Sequence, residues 1–180
     1  MSSDSRITEQ GAYPFLRLTD SAFMKQCTVD AYSASGPGGQ KRNRTYSAVR
    51  VTHEPTGLAA VAEESRSQHE NRVRACRRLK NLIAFRLRAQ PVNGWTLPRK
   101  LQPYFKPVLQ RMNSRNDCYA LFCAAMLDLL YAQSGSLSET AQVIEISTGQ
   151  CGKLFMIEKD LLREANGIRA FFGLKPLKHS

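Results

Sequence analysis

Gly38, Gly39 and Gln40 lie in the run SGPGGQKRNRT, residues 35–45, which joins three glycines and a proline to one neutral amide and then to Lys41, Arg42 and Arg44. Such a run cannot pack a core. It exposes backbone, offers an amide at its tip and sets cations directly behind. Other catalytic arrangements fail on this sequence. There is no G-x-S-x-G and no H-E-x-x-H, and Gly36 to Lys41 does not follow the G-x-x-x-x-G-K-[ST] order of a phosphate-cradling loop. His53, His69 and His179 are scattered and read as exposed or hydrogen-bonded side chains. No carboxylate pair stands beside the loop. An enzyme built on it would lack an acid–base residue of its own. It would work through backbone donors and placement, with the substrate supplying the proton transfer.

The charge pattern supports a polyanionic partner. The chain has 180 residues and a net charge of +11. Residues 1–35 carry three basic and four acidic side chains, residues 36–90 twelve and four, and residues 91–180 eleven and seven. A charge run is often only a solvated face. Here the excess gathers around and after the glycine-rich loop, which points to nucleic acid or an anionic surface. The five cysteines are odd in number and irregularly spaced, without a C-x-x-C pair, so they read as reduced thiols, mostly small core residues. No metal site and no cofactor is expected. No apolar run approaches membrane-spanning length, and the N-terminus resembles neither a signal nor a transit peptide, so the expected location is the cytoplasm.

The elements that must hold the loop are legible from pattern. Thr19-Asp20-Ser21 caps a short helix over 21–26. Residues 27–33 and 46–53 alternate apolar and polar, as strands do, and flank the loop. Glu54-Pro55-Thr56-Gly57 is a turn, and Leu58 to Ala62 returns as a third strand. A basic helix then runs to about Gln90. Val73, Cys76, Leu79, Ile83 and Leu87 are its apolar face, with Arg72, Arg74, Arg77, Arg78, Lys80, Arg86 and Arg88 on the other side. Pro and Gly in QPVNGWTLP, residues 90–98, mark a boundary. The remainder reads as helical. RNDCYALFCAAMLDLLYAQSG is apolar on several sides and predicts the central helix of a small bundle, ended by Gly135. Ser136 with Glu139 predicts a capping box, and the residues after it read as helix, short turn, helix, with Ser147-Thr148 capping the second. A compact bundle and a helix-turn-helix both satisfy that pattern. The fold class expected is α+β: a short mixed or antiparallel sheet with a basic amphipathic helix over 1–92, then an all-α bundle over 93–180.

Three blocks in order carry a specific resemblance: SGPGGQKRNRTYSAVRVTH, then Pro55-Thr56-Gly57, then SRSQHENR opening the basic helix. A bare GGQ means little, but with Asn43, Thr45, Ser47 to Arg50, Thr52-His53, Arg66-Ser67-Gln68 and Asn71 at set spacing the sequence resembles the catalytic domain of class I peptide chain release factors and ribosome-rescue peptidyl-tRNA hydrolases. The likeness covers about residues 27–90. It implies hydrolysis of the ester joining a nascent peptide to transfer RNA, with Gly38, Gly39 and Gln40 as the catalytic tip. The backbone N–H of Gln40 would donate to the developing oxyanion, and its side chain would shape a pocket for water. Gly38 and Gly39 would permit dihedral angles forbidden to other residues. The RNA would move the proton.

The resemblance further implies RNA contacts from Lys41, Arg42, Arg44, Arg66, Gln68 and Arg72; the basic face of the helix adds Arg74, Arg77, Arg78 and Lys80 as phosphate contacts, and Arg50 is a further candidate. The implied partners are the ribosome, through large-subunit RNA and peptidyl-tRNA, and a glutamine methyltransferase acting on Gln40. No membrane partner is implied, and a monomer is expected. Lys41-Arg42 stand where release factors commonly have His-Val. The sequence offers no stop-codon tripeptide in a suitable setting, so the expected activity is codon-independent rescue. A non-catalytic ribosome- or RNA-binding module, whose helical half recruits a partner, is the alternative.

Overall fold

The computed structural model describes residues 6–32, 47–91, 95–105 and 112–178. The Gly38–Gln40 tip, Lys41, Arg42 and Arg44 lie outside the described residues, as does His179. The elements run β1 (Arg6–Thr8), α1 (Tyr13–Leu16), α2 (Asp20–Met24), β2 (Cys27–Tyr32), β3 (Ala48–His53), β4 (Leu58–Ala62), α3 (Gln68–Arg86) and β5 (Leu87–Ala89). A 3-10 turn at Arg99–Leu101 leads into α4 (Gln102–Phe105), followed by α5 (Tyr119–Ala132), α6 (Leu137–Val143), α7 (Thr148–Phe155) and α8 (Lys159–Phe171). The fold is α+β. Two compact units form, Arg17–Ile83 and a second made of Met1–Leu16 with Ala84–Ser180.

The first unit holds a three-stranded antiparallel sheet in the order β2-β3-β4. β3 alternates as its sequence predicts: Val49, Val51 and His53 are buried, while Arg50 is exposed. Gly57 closes the β3–β4 turn at φ +68°, where a residue with a Cβ is strained. Thr19 caps α2 by accepting from the Ala22 N–H at 3.3 Å. Phe23 on that short helix is fully buried. Along α3 the buried ridge is Asn71, Ala75, Leu79 and Ile83, a repeat of four. The expected apolar face is corrected on this point. Val73 lies outside that ridge and is 48% exposed, and Cys76 flanks the ridge half-buried.

The helix also ends earlier than its pattern suggests. Residues 87–89 form β5, which pairs in parallel with β1, Arg6 opposite Leu87 and Thr8 opposite Ala89. Two local causes act together. Pro91 disfavours helical dihedrals in the residue before it, and Gly11 lets the chain between β1 and α1 lie against β5. A Cβ on Gly11 would stand 2.6 Å from the Ala89 nitrogen. The first sixteen residues therefore group with the helical unit, whereas the sequence pattern assigns 1–92 to one domain.

In the second unit α5 is buried from Tyr119 through Leu130 and contacts α1, α8 and β5. Ser134 and Gly135 end it with positive φ. Ser136 caps α6, accepting from the Glu139 N–H at 3.4 Å, and Ser147 with Gln150 forms a full capping box on α7. Where the sequence suggests two helices after Ser136, there are three, because the chain breaks at 156–158 before α8. Among the described residues no single helix is long and apolar enough to cross a membrane.

Candidate functional site

The two strands that flank the glycine-rich loop define its base. The β2–β3 ladder ends on the pair Tyr32 and Ala48, the last paired residues on either side of the glycine-rich run. The Arg50 guanidinium lies 5.8 Å from the centre of the Tyr32 ring, a cross-strand diagonal contact that braces this end. Arg50 also faces Asp30 across the ladder.

The re-entering end has a second anchor. Asn71, in the first turn of α3, is fully buried. Its Nδ2 donates to the Ser47 carbonyl at 2.6 Å and to the Ser65 carbonyl at 2.7 Å, and its Oδ1 accepts from the Ser65 N–H at 3.0 Å. The Ser67 hydroxyl accepts from the Glu70 N–H at 3.3 Å and caps the same turn. The sequence places Asn71 in the motif without revealing what it holds, since its partners stand 6 and 24 residues away.

At the other end of β3, His53 is buried and stacked on Phe23, ring centres 5.0 Å apart. Its Nδ1 meets Thr56 Oγ1 at 2.9 Å and its Nε2 meets Gln26 Oε1 at 3.1 Å. Burial lowers the imidazole pKa below its ordinary value. This histidine braces the 54–57 turn, as the hydrogen-bonded reading anticipates, and His69 is exposed.

The expected RNA-contacting side chains divide into two groups. Arg66, Gln68, Arg72 and Arg77 are exposed, and among the described residues Arg72 and Arg77 have no ion pair. Among the other described ones, Arg50, Arg74, Arg78 and Lys80 are engaged within the first unit. Arg74 pairs with Glu70 at 3.6 Å, one helical turn away. Arg78 donates to the Val61 carbonyl at 2.7 Å and pairs with Glu64, whose carboxyl that bond holds below the usual carboxylate range. Lys80 pairs with Asp20 at 2.5 Å, sits 5.0 Å from the centre of the Phe23 ring and is only 17% exposed. Arg88, which the helical pattern puts on the solvated side, is 1% exposed in the second unit. It donates to Asp128 Oδ1 at 2.8 Å and to the Ala84 carbonyl.

The five thiols are free. Cys123 and Cys151 are buried and the other three half-buried. Burial raises Cys27 to about 11 and Cys123 and Cys151 to about 12, far from nucleophilic character. No group of three or more potential metal ligands occurs among the described residues. Among the described residues, this unit offers a braced loop base beside exposed cations.

Residues 21–93 match the RF-1 domain. Similar curated proteins include peptide chain release factor 1 of Xylella fastidiosa (strain 9a5c), 40% identical over 88 residues, which are 49% of this chain and 24% of the relative. Peptide chain release factor 1 of Acidiphilium cryptum (strain JF-5) is 45% identical over 74 residues, 41% of this chain and 21% of the relative. Peptide chain release factor 2 of Paramagnetospirillum magneticum (strain ATCC 700264 / AMB-1) is 58% identical over 50 residues, 28% of this chain and 14% of the relative. The chain thus spans between about a seventh and a quarter of the length of these relatives.

Proposed function

Residues 21–93 are an RF-1 domain, homologous to peptide chain release factors 1 and 2, and from that premise we propose that the protein hydrolyses peptidyl-tRNA on the ribosome without reading a codon. The observation that carries the reading is the extent of the family match, residues 21–93, within which Gly38-Gly39-Gln40, Pro55-Thr56-Gly57 and Arg66 to Asn71 all fall. The braced loop base supports it too, because a tip that works by placement needs fixed ends.

In this proposal the Gln40 backbone N–H donates to the oxyanion that develops as the ester breaks, and the side chain admits water. Lys41, Arg42 and Arg44 neutralise phosphates around the tip, and Arg50, Arg66, Gln68, Arg72 and Arg77 hold RNA behind it. Arg74, Arg78 and Lys80 contribute less than the sequence suggests, being already paired. The side-chain amide of Gln40 is the candidate acceptor for a methyltransferase. The codon-independent part of the proposal rests on the sequence reading that these 180 residues, those beyond the family match included, offer no stop-codon tripeptide in a suitable setting.

The test is peptide release from purified ribosomes with an empty aminoacyl site, with and without messenger extending downstream. Release in both the absence and presence of a stop codon is expected. Gln40→Ala should keep ribosome binding and lose roughly 10²–10³ in rate, the usual loss for one preorganised oxyanion donor. Gln40→Pro, which removes the N–H, should be worst. Wild-type release by Gln40→Pro defeats the catalytic assignment, and release only at a stop codon defeats codon independence.

A further inference from the structure

We infer that Asn71 is a positioning residue for the catalytic tip: it fixes the point at which the loop rejoins the sheet by tying that point to the basic helix α3. The inference rests on the hydrolase reading above and names a residue on which that reading depends.

The geometry is local. The β2–β3 ladder stops at the pair Tyr32 and Ala48, so the carbonyl of Ser47 lies one residue beyond the last rung. A side chain takes it instead. Asn71 Nδ2 spends one hydrogen on the Ser47 carbonyl at 2.6 Å and the other on the Ser65 carbonyl at 2.7 Å. Its Oδ1 takes the Ser65 N–H at 3.0 Å. One buried amide thus joins the start of β3, the connection after β4 and the first turn of α3. Both donors and the acceptor are used in a fully buried position, where an unmade bond is expensive.

Side-chain chemistry makes asparagine specific here. Aspartate would set an acceptor against two carbonyl oxygens. Glutamine would add a methylene to a closed site, and alanine would leave three backbone groups without their partner. Asn71 also stands one residue before Arg72, which the proposed function assigns to RNA. The bond to Ser47 therefore references the loop's re-entry point to the helix that grips the phosphates. Catalysis by placement is sensitive to shifts of about 1 Å, which cost about 10²-fold in rate.

The experiment is single-turnover peptide release from ribosomes over a range of protein concentrations, with wild type, Asn71→Ala and Asn71→Asp. It separates the plateau rate from the half-saturating concentration. Partly unfolded protein raises the half-saturating concentration in inverse proportion to the folded fraction and leaves the plateau alone, because only folded molecules bind. A lost reference point lowers the plateau. The expected result is a plateau lowered about 10²-fold in both variants, with the half-saturating concentration, corrected for folded fraction by circular dichroism, within about threefold of wild type. Unchanged plateaus in both variants overturn the inference, even if both are less stable. Wild-type protein that releases no peptide defeats the hydrolase reading itself; wild-type release with unchanged variant plateaus defeats the tether alone.

Discussion

The two units bury polar groups in different ways. In the sheet unit the buried polar side chains are neutral: Asn71 holds three backbone groups around the loop base, and His53 joins Gln26 to Thr56 at the opposite end of β3. In the helical unit the corresponding feature is an ion pair, Arg88 with Asp128, both almost wholly removed from solvent. Neutral amides satisfy backbone groups where no ladder reaches, with little desolvation penalty. A buried ion pair is costlier to desolvate and tolerates the loss of one partner badly. The comparison suggests that the sheet unit spends its buried polarity on fixing a loop, and the helical unit on joining a short strand to its central helix.

The largest predicted effect is at the ion pair. Arg88 bonds Asp128 Oδ1, and that same oxygen accepts from the Ala89 N–H at 3.2 Å. Arg88→Ala leaves a carboxyl alone in the interior and removes the donor to the Ala84 carbonyl. Breaking one partner of a buried pair costs about 3–5 kcal/mol. The double change Arg88→Met with Asp128→Leu should recover part of that loss, because the desolvation of both charges disappears together while the Ala89 N–H loses its acceptor. Urea unfolding of the two variants measures this. A double variant no more stable than Arg88→Ala would mean that the pair is irreplaceable and that the contrast between the units is overstated.

The next effect is a pH response of opposite sign in the two units. Burial lowers the His53 pKa below 6.5. Its neutral form is the folded form, so the stability it supports is present above 6.5 and is lost as pH falls through the lower, folded value. Burial outweighs the pull of Arg88 and raises Asp128 from 3.8 to about 6. That carboxyl's contribution is greatest below 3.8 and declines as pH rises through about 6. Between about pH 6 and pH 4, wild type should therefore lose stability relative to His53→Gln and gain relative to Asp128→Asn. Denaturant unfolding at several pH values measures both differences. Parallel slopes would remove the distinction.

What the sequence reveals, and what it hides, follows the same divide between local and distant partners. The hairpin Ala48–Ala62, the Thr19 cap, the buried helix around Leu121–Leu130 and the Ser147 cap depend on neighbours within a few residues, and all of them are readable as pattern. Strands β1 and β5 are not, because each is three residues long and exists only through the other, about eighty positions away. Arg88 reads as a solvated cation because its partner is 40 residues further on. Val73 reads as core because steps of three and four admit two neighbouring stripes on a helix; which stripe is buried depends on the sheet. The GGQ motif is legible by type and spacing. The amide that fixes its base is present in the same motif, but its role required the structure.

The smallest predicted effects separate cations that hold the protein together from cations left for a partner. Five basic residues between Arg72 and Lys80 look equivalent on a helical wheel. Lys80 is mostly covered, paired with Asp20 and set over Phe23. Lys80→Ala should cost about 1 kcal/mol of stability, since a partly exposed pair and a cation–π contact each give at most about that much. Arg77 is exposed, with no ion pair among the described residues, and Arg77→Ala should change stability by no more than about 0.5 kcal/mol. Ribosome binding should rank them in reverse. Arg77→Ala, and likewise Arg72→Ala, should weaken binding and flatten the slope of log affinity against log salt by about 1, the loss of one phosphate contact. Lys80→Ala should leave that slope unchanged. Filter binding across a salt series and thermal unfolding of the same three variants give both readouts. A slope that flattens for Lys80→Ala and not for Arg77→Ala would place the RNA on the α2 side of the helix.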